Sequence, residues 1–338
     1  MPVQETVHKK TGKIILENAL RFSFNVGFSY FFQILFGIEN ILPSVAMCVG
    51  FTMIPGTDLG IRPLPMAIIT FVLYIGSGIA AQAALLTPWA ALPVNFLFTI
   101  LILVLSTEPR LMKTSISFLL CFIFCQANPV PPEAFPMRLA SLLTGSAIVA
   151  AGILIWWKKK HYGTNGRTFR EQAKLCAKNH GYMMRMSLGL SIAMFIGMAL
   201  HFTRPLWISI VVMSLTQIEL TETVHRIKYR ALATIVGGII FTAVFAILVP
   251  RQYALVVILL IGYLSFFTTE YKYTQIANAI CALNASLVLL DPGAALGTRF
   301  LCLAAGILIV LALWGFEKLM KASLRKRDTL LREIPEHR

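Results

Sequence analysis

Twelve long apolar runs occupy most of the chain, and they leave few architectures open. They fall at roughly 20–37, 40–55, 65–85, 88–106, 111–127, 138–157, 184–202, 205–219, 229–249, 253–269, 273–290 and 295–317. A helix needs about 20 such residues to cross a ~30 Å hydrocarbon core. The second and eighth runs are shorter, so they are expected to tilt or break. Backbone in lipid must satisfy its own hydrogen bonds, which restricts spans to helices or closed barrels. These runs are too long and too continuously apolar for the alternating strands of a barrel. The expected fold is an all-α polytopic membrane protein of about twelve transmembrane helices. Composition agrees: 57% of residues are hydrophobic and only 13% charged. A soluble domain carries about 25% charged residues, so this chain cannot cover a water-facing surface. The polar segments 1–19, 158–183 and 318–338 are each too short to bury a core of their own.

The net charge of +15 would point to nucleic acid in a soluble protein. Here the basic residues flank apolar spans, and orientation in the bilayer accounts for them instead. With the N-terminus inside, 26 of the 30 Lys and Arg residues fall on inside segments. Only Arg138, Arg204, Arg251 and Arg299 lie outside. This is the positive-inside pattern, and it predicts that both termini are cytoplasmic. No cleavable signal peptide is apparent, because the first twenty residues are polar. Thr11–Arg21 reads as a short helix on the membrane surface.

The two halves resemble each other. At an offset of 164, Arg21 matches Arg185, Thr52 matches Thr216, Arg62 matches Arg226 and Thr70 matches Thr234. Later the offset falls to 160–161, pairing Lys158 with Lys318 and Arg138 with Arg299. Arginines are few enough in this chain for their agreement to weigh more than matches among apolar residues. Residues 20–157 and 184–317 thus read as two six-helix repeats. An even number of spans per half makes the repeats parallel, about an axis along the membrane normal.

The most distinctive segment runs from Pro205-Leu206-Trp207-Ile208 through Thr216-Gln217 and Thr221 to Arg226, Arg230, Thr234 and Gly237-Gly238. It resembles the core pattern of the fusaric acid resistance-like family, which includes bacterial aromatic acid exporters. That pattern has a Trp opening a span, a Thr- or Gln-bearing end, and an R-x-x-G-T-x-x-G run entering the next span. Arg230-Ala231-Leu232-Ala233-Thr234-Ile235-Val236-Gly237 fits, with Ala233 in place of the first glycine. The first half keeps a worn copy in Arg62 and Thr70. The resemblance covers 20–157 and 184–317. It implies export of small organic, often aromatic, acids, commonly with a periplasmic adaptor protein. Larger members carry cytosolic domains after each membrane half. This chain has only short basic segments there, which puts any role of such domains, assembly included, in doubt.

Candidate site residues follow from charge and polarity within or beside the spans. Arg226 and Arg230, next to Glu219 and Glu222, read either as cytoplasmic anchors or as a gate that attracts an anion; Asp58 and Arg62 hold the matching place in the first half. Arg138 and Arg299 each begin the last span of their half, after a Pro-bearing stretch. They bind carboxylates on one reading. On the other they snorkel to headgroups or pair with Glu133 and Asp291. Thr216, Gln217, Asn278 and Asn284 are in-span polar groups that face the bundle interior, for helix bonding or a substrate path. Thr234, Gly237 and Gly238 are read first as helix-packing residues. Glu219, Glu222, Glu270 and Asp291 are the carboxylates placed to carry protons.

The chain lacks a Walker-type phosphate loop, zinc-protease and hydrolase motifs, and clustered His or Cys. No cofactor, metal site, disulfide or enzymatic role is expected. The reading is a secondary transporter in a bacterial inner membrane exporting organic anions, with coupling to the proton gradient inferred from the missing nucleotide site. A passive anion channel, a major-facilitator-type transporter and a non-transporting scaffold are the alternatives; homo-oligomerisation is left open.

Overall fold

The computed structural model describes residues 2–107, 114–164, 166–268, 270–287 and 290–332. The start of the fifth apolar run, with Arg110 and Lys113, part of the eleventh, and the end of the tail lie outside the described residues.

Thirteen α-helices occur among the described residues. They are α1 (Pro2–Phe36), α2 (Ile41–Met53), α3 (Pro63–Ala84), α4 (Pro88–Ser106), α5 (Ile116–Ala127) and α6 (Phe135–Lys160). After these come α7 (Phe169–Ala177), α8 (His180–Ala199), α9 (Leu206–Leu215), α10 (Leu220–Phe241), α11 (Ala254–Ser265), α12 (Tyr271–Ser286) and α13 (Pro292–Arg332). All but α7 carry one of the expected apolar runs. Among the described residues, six helical stretches are long and apolar enough to cross a bilayer: 63–84, 88–106, 132–160, 180–199, 220–245 and 292–324. The chain is therefore an all-α, multi-pass membrane protein. Four more apolar helices are shorter, at 38–53, 116–127, 206–215 and 254–265.

Local chemistry sets the helix ends. Pro63 and Pro88 sit in the first turns of α3 and α4, where a missing N–H costs nothing. Thr168 caps α7, accepting from the Glu171 amide at 3.4 Å while Glu171 Oε2 accepts from the Thr168 amide at 2.8 Å. Asp291 Oδ2 accepts from the amides of Gly293 and Ala294, each at 3.1 Å, and so caps α13. Two boundaries depart from the sequence reading. Thr11–Arg21 is the continuous early part of α1, because nothing from Val3 to Phe36 breaks a helix. Residues 220–228 belong to α10, so Arg230 lies ten residues beyond the start of that helix and not at its end. The polar start of α10 hid its true length from a hydropathy reading.

Close packing explains the small residues. A Cβ at Gly237 would lie 2.8 Å from Ala279 Cβ, and one at Gly238 would lie 2.9 Å from a Leu296 methyl. These two glycines let α10 approach α12 and α13, and Thr234 turns its hydroxyl back to the Arg230 carbonyl at 2.9 Å. The apolar residues form two separate cores. The larger draws on α1–α9 and on Cys302–Val310 of α13. The smaller joins Phe241, Phe245, Ile280, Leu283 and Ala295, with α11 partly buried against it. The two halves meet where α4 packs on α8 and where α11 leans on α1, Phe22 meeting Tyr263 edge-on at 5.8 Å.

One end of the bundle is basic. It gathers the last turn of α6, the amphipathic α7, and the starts of α8, α10 and α12. Gln172 ties α7 there by donating to the carbonyls of Val104 and Thr107, at 3.1 and 2.8 Å. Burial pushes the Cys176 thiol on the same helix up from its ordinary value. Arg185 of α8 bonds Glu317 of α13, donates to the carbonyls of Gln217 and Ile218, and stacks 3.6 Å from the Trp314 ring.

Candidate functional site

The division of the core in two leaves a gap at the basic end, between α5, α8 and α9 on one side and α10 and α12 on the other. A cavity of about 420 Å³ fills it. The short α9 makes room: it stops at Leu215, and Thr216 returns its hydroxyl to the Val212 carbonyl at 2.8 Å. Gln217 folds back to the Ser214 carbonyl at 3.1 Å. Thr216, Gln217, Glu222, Arg226, Tyr271 and Gln275 are among the lining residues.

Arg226 guards this cavity. Its guanidinium pairs with Glu222 at 2.7 and 3.1 Å, donates to the Ser214 carbonyl at 3.3 Å and lies 5.2 Å from the Tyr271 ring. One turn deeper, Arg230 is only 4% exposed. It donates to Ser214 Oγ at 2.6 Å and to Gln275 Oε1 at 3.0 Å, two residues that also line the cavity. The Tyr271 hydroxyl is buried close enough to Arg230 to act on its guanidinium.

Arg299 lies beyond Arg230 and is 6% exposed. Its guanidinium stands 4.9 Å from the Trp207 ring and has no hydrogen bond or ion pair among the described residues. Arg230 is near enough to act on it electrostatically. Neither arginine has a carboxylate partner among the described residues. A desolvated cation–π contact returns about 2 kcal/mol. Taking an ion out of water costs several kcal/mol. Two buried like charges therefore stand with neutral acceptors and one aromatic face between them. A negatively charged guest would relieve both the desolvation and the mutual repulsion.

The other candidates are dispersed. Arg138 is 2% exposed, and protein acceptors occupy its donors: Asn40 Oδ1 at 2.6 Å, the Glu39 and Asn128 carbonyls at 3.0 Å each, and the Cys125 carbonyl at 3.5 Å. It pins α6 to the starts of α2 and the end of α5, and its partners are carbonyls and an amide rather than Glu133. Arg62 is exposed at the start of α3, away from the cavity. Asn278 is exposed and Asn284 half-buried, and neither lines the cavity. Of the four carboxylates named as proton carriers, Glu222 alone lines it; Glu219 begins α10, Glu270 pairs with Lys272 at 3.0 Å, and Asp291 caps α13. Trp207, Ser214, Tyr271 and Gln275 enter the site from the structure. Trp207 and Gln275 were visible in the sequence as a motif and a polar group, but no spacing rule joins residues 68 apart.

Residues 192–313 match the family model described as fusaric acid resistance protein-like. Over that segment, about a third of its length, the chain is similar to this family. The matched segment contains Trp207, Ser214, Arg226, Arg230, Tyr271, Gln275 and Arg299, so the whole arginine site lies inside it. The match does not extend to the first half, where the sequence resemblance was expected to continue. No curated protein and no solved structure matches the chain. A fusaric acid resistance-like segment built of apolar helices suggests membrane transport of the resistance type.

Proposed function

We propose that the protein is a secondary exporter of small organic anions in a bacterial inner membrane, crossing it twelve times in two parallel six-helix halves with both termini in the cytosol. The observation that carries the substrate charge is the buried, carboxylate-free pair Arg230 and Arg299. On this reading the basic end faces the cytosol, and its cavity is the vestibule. Arg226 draws the anion in through a local positive field. The carboxylate then displaces Ser214 or Gln275 from Arg230, with the Tyr271 hydroxyl as a further donor. Charge-assisted bonds to a guanidinium are about twice as strong as neutral ones, so the exchange favours the anion. Glu222, released from Arg226 as the anion arrives, is the carboxylate placed to take up a proton.

Reconstituted full-length protein in sealed vesicles tests this. Benzoate loaded on the basic side is expected to leave the vesicle lumen against its gradient when a proton gradient is imposed. R299M and R230M are expected to reduce that flux at least tenfold. Flux equal to empty vesicles, or unchanged flux in both variants, rejects the reading; downhill flux alone would favour an anion channel.

A further inference from the structure

A second cavity, of about 380 Å³, opens at the other end of the molecule. It is lined by the same three helices that wall the vestibule, α5, α8 and α9, at their opposite ends. On α5 the vestibule touches Ile116 and Leu119, and the far cavity touches Ile123 and Gln126. These positions recur at three- and four-residue intervals, so they share one helix face. On α9 the vestibule ends at Met213 and the far cavity begins at Ser209. The two floors are thus about one helical turn, roughly 6 Å, apart on both helices.

On α8 the gap is longer, from Met186 to Met194, and the residue of the same face between them is Leu190. Leu190 is wholly buried in the main core. Around it α8 lies unusually close to α9. A Cβ at Gly189 would stand 2.8 Å from a Val212 methyl, and one at Gly197 would stand 2.6 Å from Pro205. The far cavity is apolar, with Met194, Met198 and Phe202 in its wall and no arginine or lysine among its lining residues. It does hold an unmet polar group: Gln126 is 9% exposed, and its side-chain oxygen is buried without a hydrogen-bond partner among the described residues.

We propose that the two cavities are the inner and outer chambers of one route along the α5–α8–α9 seam, closed by the Leu190 side chain, and that the outer chamber receives the apolar body of the transported molecule. This rests on the transporter reading and specifies its route. The charge is held at the inner chamber by Arg230. The uncharged part of the guest is what the outer chamber accommodates, and Gln126 accepts a hydrogen bond from it. A septum one side chain thick needs only a rotamer change or a small slide of α8 on α9 to open.

Side-specific labelling tests the route without reading flux. Ser209→Cys and Thr216→Cys are introduced singly, and a membrane-impermeant maleimide is applied to one face of sealed vesicles. Labelling is read peptide by peptide by mass spectrometry, with the native cysteines left in place. Ser209→Cys is expected to react only from the far face and Thr216→Cys only from the basic face. Adding L190A is expected to raise reaction from the opposite face at least tenfold, and L190I to leave it unchanged. 1-Naphthalenesulfonate on the far face is expected to slow labelling of Ser209→Cys severalfold. Reaction of both cysteines from one face overturns the route, and this parent measurement stands even where L190A fails to fold. An unchanged pattern in folded L190A removes the plug, and absent protection removes the outer subsite. Intact labelling with no benzoate flux would instead reject the anion reading and keep the seam.

Discussion

Arg138 and Arg299, paired in the sequence at an offset of 161, stand near the start of α6 and of α13 and meet different surroundings. Arg138 has Asn40 and three carbonyls around it. Arg299 has the face of Trp207 and a second arginine. The contrast extends around them. The 164-residue offset pairs Arg230 with Met66, which is wholly buried in apolar surroundings. It pairs Gly238 with Tyr74, whose ring fills the first half and whose hydroxyl bonds Ser117 at 3.2 Å. The first half is one packed core. The second is divided between two cores, with the vestibule in the division. An arginine inside a packed bundle must be satisfied by that bundle. Arg230, whose partners Ser214 and Gln275 line a cavity, can be satisfied by what enters it. The lesson is that residues paired by a sequence offset take different roles when the packing around them differs.

The strongest way to break this comparison is to remove each arginine in turn. R138M leaves Asn40 Oδ1 and the loop carbonyls buried without donors. It is expected to cost about 3 kcal/mol or more, a fall of roughly 5–10 °C in the melting temperature in detergent. R299M removes an uncompensated buried charge and is expected to melt at or slightly above the parent temperature. Equal destabilisation by both would mean that Arg299 is a structural group after all.

A smaller effect separates the basic ends of the halves. Arg185 is bonded to Glu317, while its match in the first half, Arg21, is exposed with no ion pair among the described residues. E317Q is expected to cost about 1–3 kcal/mol and to speed hydrogen exchange in the last turns of α13. R21Q is expected to stay within about 0.5 kcal/mol of the parent. Comparable losses in the two variants would show that the first half is latched in the same way.

The smallest effect concerns α7, which joins the halves. The Thr168 backbone N–H and hydroxyl hold the Glu171 carboxyl below its ordinary range. A carboxyl depressed in the folded state stabilises that state above its unfolded pKa. That contribution is lost as pH falls through the lower, folded value. Hydrogen-exchange protection of α7 is therefore expected to be full at neutral pH and to fade only below the ordinary carboxylate range. T168A is expected to weaken protection already at neutral pH, and identical profiles for parent and T168A would discount the cap.

Much of this was legible in the chain itself. The apolar runs are local, and hydrocarbon tolerates little besides helices, so the all-α membrane class follows from composition along the sequence. The second-half segment from Trp207 to Gly238 also carried its family pattern openly. The depth of Arg230 did not show, because the polar first turns of α10 look like a loop to any hydropathy reading. Nor did the different roles of Arg138 and Arg299, which the sequence presents as twins. Those depend on whether Asn40, Trp207, Ser214 and Gln275 come within a few ångströms of a guanidinium. Hydrogen bonding and desolvation act over such distances and between residues far apart in the chain, so only the packed helices decided which arginine is a staple and which is left with an aromatic face and a second arginine.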